Sequence, residues 1–433
     1  MAELTDEKIC VDTRFNSESN IANQVRLRYK AELDKYPNIV ATGVGFVYEK
    51  GVRTDEIGII ANVAEKHDLS ALRMEDVIPG SYDNIRVDVQ KSKVLSSELP
   101  ELEASEQSLT GYVDKLTTGY SIGAKVGVTA GTTGYFGRRN GKVVVTSNCH
   151  VFAGDVNKDI SEQVSLDIIQ PGKYDGGSEV RAIFSGMQKI FFKGEGKVNK
   201  IDSACADIID PEDYTLDIPY IGRCEGYDSS LPRLGELIDK VGRTTGYTHG
   251  YVEQIHVDAN INYNGNIAVF KDLILTRSMS SGGDSGAIGY VDKKMKYRLF
   301  AGSSQVTLFF HLAEELVDLN ITPLIDYDDD IPDGNTDDIV LDFEMEPVDE
   351  EPDTKNIRGI VRTTSGNVLA NVDVTLFKDG NIHVHTKSDK DGKYHMDEVT
   401  QHDYTLELKH DGYVTITMEL EEELFDKKQA KLV

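Results

Sequence analysis

The sequence has few of the residues that disulfide frameworks and structural zinc sites need. It contains four cysteines, Cys10, Cys149, Cys205 and Cys224, and no two of them have the Cys-x-x-Cys spacing. We therefore expect four free thiols in a reducing compartment, with no disulfide and no structural metal.

Basic residues and long apolar runs are also scarce. Lys and Arg number 46 against 74 Asp and Glu, which gives a formal net charge of −28 at pH 7. Nucleic acids and anionic membrane surfaces bind positive charge, so the sequence favours a neutral or basic protein partner instead. No run approaches the roughly 18 apolar residues of a membrane span, and residues 1–14 lack the apolar core of a secretory signal. These absences predict a cytoplasmic protein with no membrane partner.

The first 110 residues predict a small α/β domain and a linker. Residues 19–36 carry apolar side chains on one helical face and end before Pro37. Three predicted strands follow, and no cluster of catalytic residue types accompanies them. We therefore interpret residues 1–95 as a separate regulatory or propeptide-like domain, and residues 96–110 as a polar linker.

The rest of the chain predicts two β-rich domains joined by an acidic linker. Residues 111–325 consist of short β-rich runs separated by Gly, Asn and Asp, and end in an amphipathic helix over 311–319. Residues 326–354 follow, with fourteen acidic and no basic side chains up to residue 353, which is typical of a solvated, disordered linker. Residues 355–433 alternate predicted strands with Gly- and Asp-rich turns. The fold class is therefore multidomain and mainly β.

A glycine-rich loop holds the candidate nucleophile. Residues 280–289 read Ser-Ser-Gly-Gly-Asp-Ser-Gly-Ala-Ile-Gly. A serine hydroxyl needs a base to take its proton and N–H donors to stabilise the oxyanion. The glycines before Ser285 allow a sharp turn that aims the N–H groups of Gly283 and Ser285 into one pocket. The alternative interpretation is an ordinary turn between two strands.

A histidine and an aspartate upstream have suitable surroundings. His150 follows a β-branched strand and lies among small polar residues, where a base on a rigid scaffold is expected. The alternative is an ordinary surface or core histidine. Asp202 precedes an apolar run and has small neighbours, so it can pack against an imidazole. Asp207 is the alternative aspartate.

The order His150, Asp202, Ser285 resembles the chymotrypsin-type, or trypsin-like, serine peptidases. Further pieces are similar to a bacterial branch of that family and to plant Narrow-leaf-1-like proteins. These pieces are GYSIG at 119–123, SNCHVFA at 147–153, QPGKYDGG at 170–177, VGRTTG at 241–246, GDSG at 283–286 and FAGSS at 300–304. Residues 41–45 and 78–79 resemble the domain that often precedes this peptidase. The resemblance implies a double β-barrel with the catalytic residues in the cleft between the barrels.

The resemblance also implies roles for individual residues. Ser285 is the implied nucleophile, His150 the base and then the acid, and Asp202 the residue that holds the imidazole. Gly283 and Ser285 supply the implied oxyanion hole. The implied S1 pocket has Met279 as its floor and takes its other residues from Ser280, Gly302, Ser303 and Ser304. Cys149 stands where the family usually has Asn, so an exposed thiol there would make activity sensitive to oxidation, whereas a small buried Cys would not.

Residues 355–433 resemble the carboxypeptidase regulatory-like β-sandwich. The matching pieces are GIV at 359–361, DKDGKY at 389–394 and HDGY at 410–413. The resemblance implies a Greek-key sandwich that serves as a spacer or binds a partner protein. His383 and His385 alternate on one strand and an acidic turn follows, but the calcium-loop spacing is incomplete. We expect no metal and no cofactor.

These observations predict a cytoplasmic serine endopeptidase that acts on protein or peptide substrates and is regulated by its N-terminal domain. Two alternatives stay open. One is a catalytically silent pseudopeptidase that binds or assembles proteins, since a fold alone does not fix a function. The other is a zymogen, in which Asp284 holds the oxyanion loop wrongly until a cut or a partner releases it. A homo-oligomer is compatible with the sequence.

The implied S1 floor generates a prediction about specificity. Met279 replaces the Asp that would select Lys or Arg, so the residue before the cleaved bond is expected to be uncharged. In a peptide-library digest we expect rejection of Lys and Arg at that position. A strong preference for Arg would contradict the assignment.

Overall fold

The computed structural model describes residues 14–97, 107–127, 130–325, 339–348, 351–363, 369–378, 381–400, 404–409, 416–420 and 429–432. The chain forms two compact units, Met1–Asp329 and Asp330–Val433. Residues 98–106 of the predicted linker at 96–110, the predicted turn at 364–367 and residues 379–380 of the predicted turn at 379–381 lie outside the described residues. Among the described helices, none is long and apolar enough to span a membrane.

The N-terminal segment is a helix followed by strands. Its elements are α1 (Arg14–Arg28), α2 (Lys30–Leu33), β1 (Ile39–Glu49), β2 (Val52–Val63), β3 (Ser81–Tyr82), β4 (Ile85–Lys91) and β5 (Leu95–Ser96), with 3-10 turns at Leu69–Ala71 and Met74–Asp76. The helix expected over residues 19–36 thus forms as two pieces. Val25 and Leu33 are buried against Ile59 and Ala61 of β2, which fixes the helices on the sheet.

The next sheet forms the first barrel. Its region contains β6 (Leu116–Thr117), β7 (Ser121–Ala124), β8 (Gly131–Thr132), β9 (Phe136–Arg139), β10 (Lys142–Ser147), α3 (Cys149–Phe152), β11 (Asp167–Ile169), β12 (Val180–Met187), β13 (Ala204–Ile208), β14 (Tyr214–Thr215), β15 (Asp217–Ile218) and β16 (Gly222–Arg223), with 3-10 turns at Ile160–Glu162 and Lys173–Asp175. The strand order is β9-β10-β13-β12-β11-β7-β8. Because β8 and β9 are parts of one stretch, 131–139, the two ends of the sheet meet and close a barrel around Ile122, Phe136 and Val145.

A second closed sheet follows. It consists of β17 (Leu237–Gly242), β18 (Gly246–Tyr263), β19 (Asn266–Arg277), β20 (Ile288–Val291), β21 (Lys294–Gly302) and β22 (Val306–His311). The order is β17-β20-β21-β22-β19-β18, and β18 pairs back to β17. Helix α4 (Leu312–Asp318) comes next, and β23 (Thr322–Pro323) pairs with β9 of the first barrel. The expected double β-barrel is confirmed.

The N-terminal strands belong to the second barrel's sheet, which corrects the prediction of a separate domain over residues 1–95. Strand β1 pairs antiparallel with β18, with Ala41 opposite Ala259 and Gly45 opposite Gln254. The order β18-β1-β2-β4-β3 therefore continues the sheet outward. Leu95 of β5 is fully buried in the core that both barrels share. The sequence pattern shows that these strands exist but carries no information on which strand they pair with.

The C-terminal unit is a sandwich of two four-stranded sheets. Its strands are β24 (Ile339–Val348), β25 (Glu351–Thr363), β26 (Asp373–Lys378), β27 (Asn381–Lys387), β28 (Lys393–Thr400), β29 (Tyr404–Lys409), β30 (Ile416–Leu420) and β31 (Gln429–Leu432). The sheets have the orders β28-β25-β24-β31 and β27-β26-β29-β30. Ile357 and Met396 of one sheet share a buried cluster with Val374 and Leu406 of the other. The predicted β-sandwich is confirmed.

Strand β24 lies inside the segment predicted to be a disordered acidic linker, so that prediction is wrong for residues 339–348. The strand pairs with both β25 and β31. From Ile339 to Met345 every second residue is apolar, and Asp342, Glu344 and Glu346 stand between and after them. A period of two is the signature of a strand. The count of acidic residues concealed it, and residues 326–338 lie outside the described residues.

The pairing of β1 with β18 generates a prediction about stability. A Cβ atom at Gly45 would lie 2.4 Å from the carbonyl oxygen of Glu253 on β18, whereas a Cβ atom at Gly80 would meet nothing within 4 Å. We expect Gly45→Ala to lower the free energy of unfolding by about 1–3 kcal/mol. Gly80→Ala is the control and should change it by less than about 0.5 kcal/mol. Equal stabilities in urea titrations would contradict the pairing.

Candidate active site

His150 lies on a short helical turn at the end of a buried strand. Strand β10 runs through the core of the first barrel and leads through Asn148 into α3. Cys149, Val151 and Phe152 of this turn are buried, while the His150 side chain keeps 12% of its surface exposed. The buried neighbours fix the turn and leave the imidazole accessible.

Asp202 faces this imidazole from within the protein. Its Oδ2 lies 2.6 Å from Nδ1 of His150, and its Oδ1 accepts a hydrogen bond from the His150 backbone N–H at 3.3 Å. The hydroxyl of Tyr263 donates to the same Oδ2 at 2.7 Å. The alternative aspartate, Asp207, instead forms an ion pair with Lys142 at 2.6 Å. The structure therefore brings Asp202, rather than Asp207, to His150.

These contacts keep Asp202 ionised. Burial alone would raise the pKa of Asp202, but the attraction of His150 and the hydrogen bonds from His150 and Tyr263 lower it below its ordinary value. Because the folded-state pKa is lowered, the stability that Asp202 contributes is present above the unfolded pKa and is lost as the pH falls through the folded value. An ionised carboxylate only accepts hydrogen bonds, so Nδ1 of His150 carries a proton, and in the neutral imidazole Nε2 is then the acceptor.

Burial and the neighbouring Asp202 raise the pKa of Tyr263 well above its ordinary value. Tyr263 therefore stays protonated and remains a donor to the carboxylate. Together, His150 and Tyr263 satisfy the side chain of Asp202 in the interior, where an unpaired carboxylate would be costly.

Ser285 lies in the loop between β19 and β20 and contacts the first barrel. Its carbonyl accepts a hydrogen bond from the N–H of Thr132 at 2.8 Å. A Cβ atom at Gly131 would lie 2.5 Å from Val151 and 2.9 Å from the carbonyl oxygen of Ser285. Because Val151 follows His150, the Ser285 loop and the histidine turn flank the same glycine. The Ser285 loop and the histidine turn thus pack against the same segment of the first barrel, residues 131–132.

The backbone around Ser285 presents two donors. Gly283 has a φ of 89°, and a Cβ atom there would lie 2.4 Å from Nη1 of Arg243, so only glycine fits. Its carbonyl accepts a hydrogen bond from Oγ1 of Thr132 at 2.9 Å. Among the described residues, the N–H groups of Gly283 and Ser285 have no acceptor. Two such donors, separated by one residue, can stabilise an oxyanion.

A buried ion pair holds the residue between these donors. Asp284 and Lys240 are both fully buried, and Nζ of Lys240 lies 3.2 Å from Oδ2 of Asp284. Asp284 also accepts hydrogen bonds from the N–H groups of Thr244 at 2.9 Å, Thr245 at 3.1 Å and Ser281 at 3.0 Å. Burial lowers the pKa of Lys240, and the attraction of Asp284 opposes this effect. These contacts with Asp284 therefore hold the loop that carries Ser285 in one conformation.

Met279 and Ser280, the predicted residues on one side of the S1 pocket, lie beside Thr307. The N–H of Met279 donates to Oγ1 of Thr307 at 3.0 Å, and the hydroxyls of Ser280 and Thr307 are 2.7 Å apart. Met279 itself is buried in the core of the second barrel, and its carbonyl accepts a hydrogen bond from Thr248 at 2.8 Å. Thr307 is a polar group of this region that the sequence did not identify.

The other predicted S1 residues contact the N-terminal segment. Ser303 donates a hydrogen bond through Oγ to the carbonyl of Ser92 at 2.5 Å, and Nζ of Lys93 donates to Oγ of Ser304 at 2.8 Å. Gly302 pairs antiparallel with Ser96 of β5. Residues 92–96 therefore cover the end of β21 that was predicted to form one wall of the pocket.

The sequence analysis did not identify Tyr263 or Lys240 as residues of the site, although the sequence pattern around each indicates a buried position. The predicted strand ended at Val257, but bulky or small apolar residues continue at every second position through Ala259 and Ile261 to Tyr263. Lys240 shares a strand face with Ile238, and a lysine at an inward position needs a buried carboxylate partner.

The oxidation hypothesis for Cys149 is not supported. Its side chain is fully buried, and burial, with a smaller contribution from Asp202, raises the pKa of the thiol well above its ordinary value. Since the thiolate is the reactive form, this cysteine is a packing residue.

Comparisons with known proteins identify one part of the chain by sequence. Residues 356–424 match the carboxypeptidase regulatory-like domain family. A comparison of the sequence with curated proteins found no match. In the carboxypeptidase regulatory-like domain, His385 lies 2.9 Å from Thr375 and 3.2 Å from Asp373. The described residues contain no group of three or more side chains arranged to hold a metal ion.

Solved structures similar to the chain include serine proteases. Thermobifida fusca protease A and Cellulomonas bogoriensis chymotrypsin are each 14% identical, with TM-scores of 0.35 and 0.34, and each match covers 48% of this chain and 98% of the other. A glutamic-acid-specific serine protease is 18% identical, with a TM-score of 0.35, and its match covers 48% of this chain and 100% of the other.

Two buried lysines provide a matched test of the nucleophile loop. Lys240 pairs with Asp284 at 3.2 Å, and Lys296 pairs with Glu236 at 2.8 Å. Replacing either lysine with Met should cost about 3–5 kcal/mol, because a buried carboxylate loses its partner. Only Lys240→Met should also slow fluorophosphonate labelling of the folded protein, by about 100-fold or more, because only it releases the oxyanion donors.

Labelling is compared under conditions in which near-ultraviolet circular dichroism shows both variants folded. Equal labelling rates for Lys240→Met and Lys296→Met would show that the ion pair with Asp284 does not hold the site.

Proposed function

We propose that this protein is a serine endopeptidase that hydrolyses peptide bonds through an acyl-enzyme intermediate on Ser285. The supporting observation is the 2.6 Å contact between Asp202 and Nδ1 of His150, beside a serine loop whose two backbone donors are unpaired among the described residues. A base held by a buried carboxylate is what a serine hydroxyl lacks by itself.

The proposed reaction has two steps. Ser285 Oγ attacks the peptide carbonyl while Nε2 of His150 takes the hydroxyl proton, and the N–H groups of Gly283 and Ser285 stabilise the oxyanion. The intermediate collapses, the C–N bond breaks, and His150 gives its proton to the departing amine. Water then attacks the acyl-enzyme with His150 again as base, which releases the carboxylic acid and restores Ser285. Asp202 stays ionised throughout and stabilises the imidazolium.

The contacts of the N-terminal segment support a regulatory role for it. Residues 92–96 lie against Gly302, Ser303 and Ser304, which the proposal places in the S1 wall. A substrate that needs this wall competes with a segment tethered beside it, and a tether gives the segment a high effective concentration. The N-terminal segment therefore restrains the peptidase in the intact chain.

The remaining parts of the proposal concern partners and location. Cys149, Cys205 and Cys224 are free thiols, which supports a cytoplasmic location. The carboxypeptidase regulatory-like domain serves as the binding module for a partner protein.

Labelling by a fluorophosphonate tests the proposed function. The reagent forms a covalent bond only with an activated serine, so the intact mass of the full chain should increase by one adduct. The matched control is Ser285→Ala, which should not be labelled; Ser81→Ala, at an exposed serine of β3, should be labelled like the parent. No adduct on the full chain, or an adduct that persists in Ser285→Ala, would contradict the proposal and favour a silent pseudopeptidase.

Cutting the chain after it has folded tests the proposed restraint. A site for a specific protease is placed within residues 98–106, and a second chain carries the same site within residues 326–338 as a control. Cutting at the first site should raise kcat/KM for a peptide substrate by about tenfold, because residues 92–96 lose their covalent link to the barrels on one side and are then held only through the strands before them. Cutting at the second should not. No increase after complete cutting at the first site would show that the segment is structural.

A further inference from the structure

A second buried ion pair lies beneath the candidate active site. Arg298 on β21 and Glu315 on α4 are both fully buried. Nε of Arg298 lies 2.5 Å from Oε2 of Glu315, and Nη2 lies 2.6 Å from Oε1, so two parallel hydrogen bonds join them. A pair of this kind is geometrically specific, because the planar guanidinium fixes both carboxylate oxygens.

The remaining hydrogen bonds of the pair go to neighbours of all three candidate catalytic residues. Nη1 of Arg298 donates to the carbonyl of Gly286 at 2.7 Å, and Gly286 follows Ser285. Oγ of Ser203 donates to Glu315, and Ser203 follows Asp202.

The third contact is to the strand that carries the histidine turn. Nη2 of Arg298 donates to Oγ1 of Thr146 at 2.8 Å. Thr146 is on β10, four residues before His150. Its hydroxyl also bridges the N–H and carbonyl of Tyr135 on the neighbouring segment, at 3.1 and 2.9 Å. The pair is therefore bonded to three segments of the chain, from both barrels.

A contribution to stability does not by itself explain why a buried ion pair is present at this position. A buried ion pair can often be replaced by apolar residues of similar volume without loss of stability, because desolvation offsets the attraction. Here the donors of Arg298 point at fixed backbone and hydroxyl groups, and the ring of Tyr135 lies 5.4 Å from its guanidinium carbon. The pair therefore fixes the distances between the segments that contain Thr146, Ser203 and Gly286. Apolar contacts, which are not directional, would fix these distances less tightly.

We propose that Arg298 and Glu315 are positioning residues, which fix Ser285, Asp202 and His150 relative to one another across the junction of the two barrels. They touch neither substrate nor reacting atoms. The inference rests on the proposed peptidase function. It assigns the C-terminal helix α4 of this unit a part in catalysis, through the one side chain that it contributes to this pair.

The test replaces the pair with apolar residues. Arg298→Met/Glu315→Leu removes both charges together, so no buried charge is left unpaired. The matched control is Arg181→Met/Asp213→Leu, because Arg181 and Asp213 also form a two-point ion pair. Besides this pair, the guanidinium of Arg181 donates to the carbonyls of residues 113 and 114 and lies 5.5 Å from the ring of Tyr112, all outside the candidate site. For both variants, kcat and KM on a peptide substrate and the midpoint of thermal unfolding are measured.

We expect kcat of Arg298→Met/Glu315→Leu to fall by about 30-fold or more with KM changed less than about twofold, since small displacements of reacting groups slow the chemical step. The control double variant should keep the parent kcat. A kcat equal to that of the parent in folded Arg298→Met/Glu315→Leu would overturn the inference.

If that variant does not fold, Ser203→Ala decides, because it removes only the bond between Glu315 and the residue beside Asp202. A lower kcat at unchanged KM is expected for Ser203→Ala, and an unchanged kcat would overturn the inference.

A second readout separates this inference from the proposed function. The proton between His150 and Asp202 is observed by its low-field ¹H resonance, which requires no catalysis. The resonance should be lost or shifted in Arg298→Met/Glu315→Leu and retained in the control. An unchanged resonance would overturn the positioning role even if the protein is a peptidase. If the resonance changes but the protein hydrolyses no peptide, the positioning role of the pair toward His150 is supported and the peptidase function is rejected.

Discussion

A carboxylate that is fully buried, as Asp202 is, must find donors inside the protein, and its donors here are the two N–H groups of His150 and the hydroxyl of Tyr263. This requirement determines the site. It sets which ring nitrogen of His150 donates to the carboxylate, and it leaves the other nitrogen facing away from Asp202. It also links strands of both barrels, since Tyr263 ends β18 of the second barrel while His150 and Asp202 belong to the first.

The same constraint recurs around the nucleophile loop. Asp284 and Glu315 are also fully buried, and each is matched by a buried cation, Lys240 and Arg298 respectively. Each pair contacts the loop that carries Ser285. Lys240 pairs with the side chain of Asp284, and Arg298 donates a hydrogen bond to the backbone carbonyl of Gly286. Removing either partner of a buried ion pair destabilises the protein, because the other charge is left unpaired. The intact pairs add little net stability, but they specify one arrangement of the loop. Buried charges thus fix the loop that carries Ser285, in addition to the apolar core that both barrels share.

The sequence carries more information about the site than about the pairing of strands. Residue types and spacing favoured Asp202 over Asp207, and Asp202 is the aspartate that lies against His150. Partners distant in sequence were not visible: Tyr263 is 61 residues from Asp202. The same limit explains the wrong boundary at residue 95, since edge strands pair through backbone groups that every residue has. Residues 339–348 were predicted to be a disordered linker for a different reason: their high content of acidic residues concealed the alternation of apolar and polar residues that is typical of a strand.

The central claim is that Ser285 becomes acylated during turnover, and the accumulation of an acyl-enzyme tests it most directly. The full chain is mixed with a p-nitrophenyl ester, the release of p-nitrophenol is followed in the pre-steady state, and acid-quenched protein is mapped by mass spectrometry. The account predicts a burst of about one equivalent of p-nitrophenol per enzyme and an acyl group on the peptide that contains Ser285. Linear release without a burst and without an acylated peptide, or an acyl group on another residue, would contradict it.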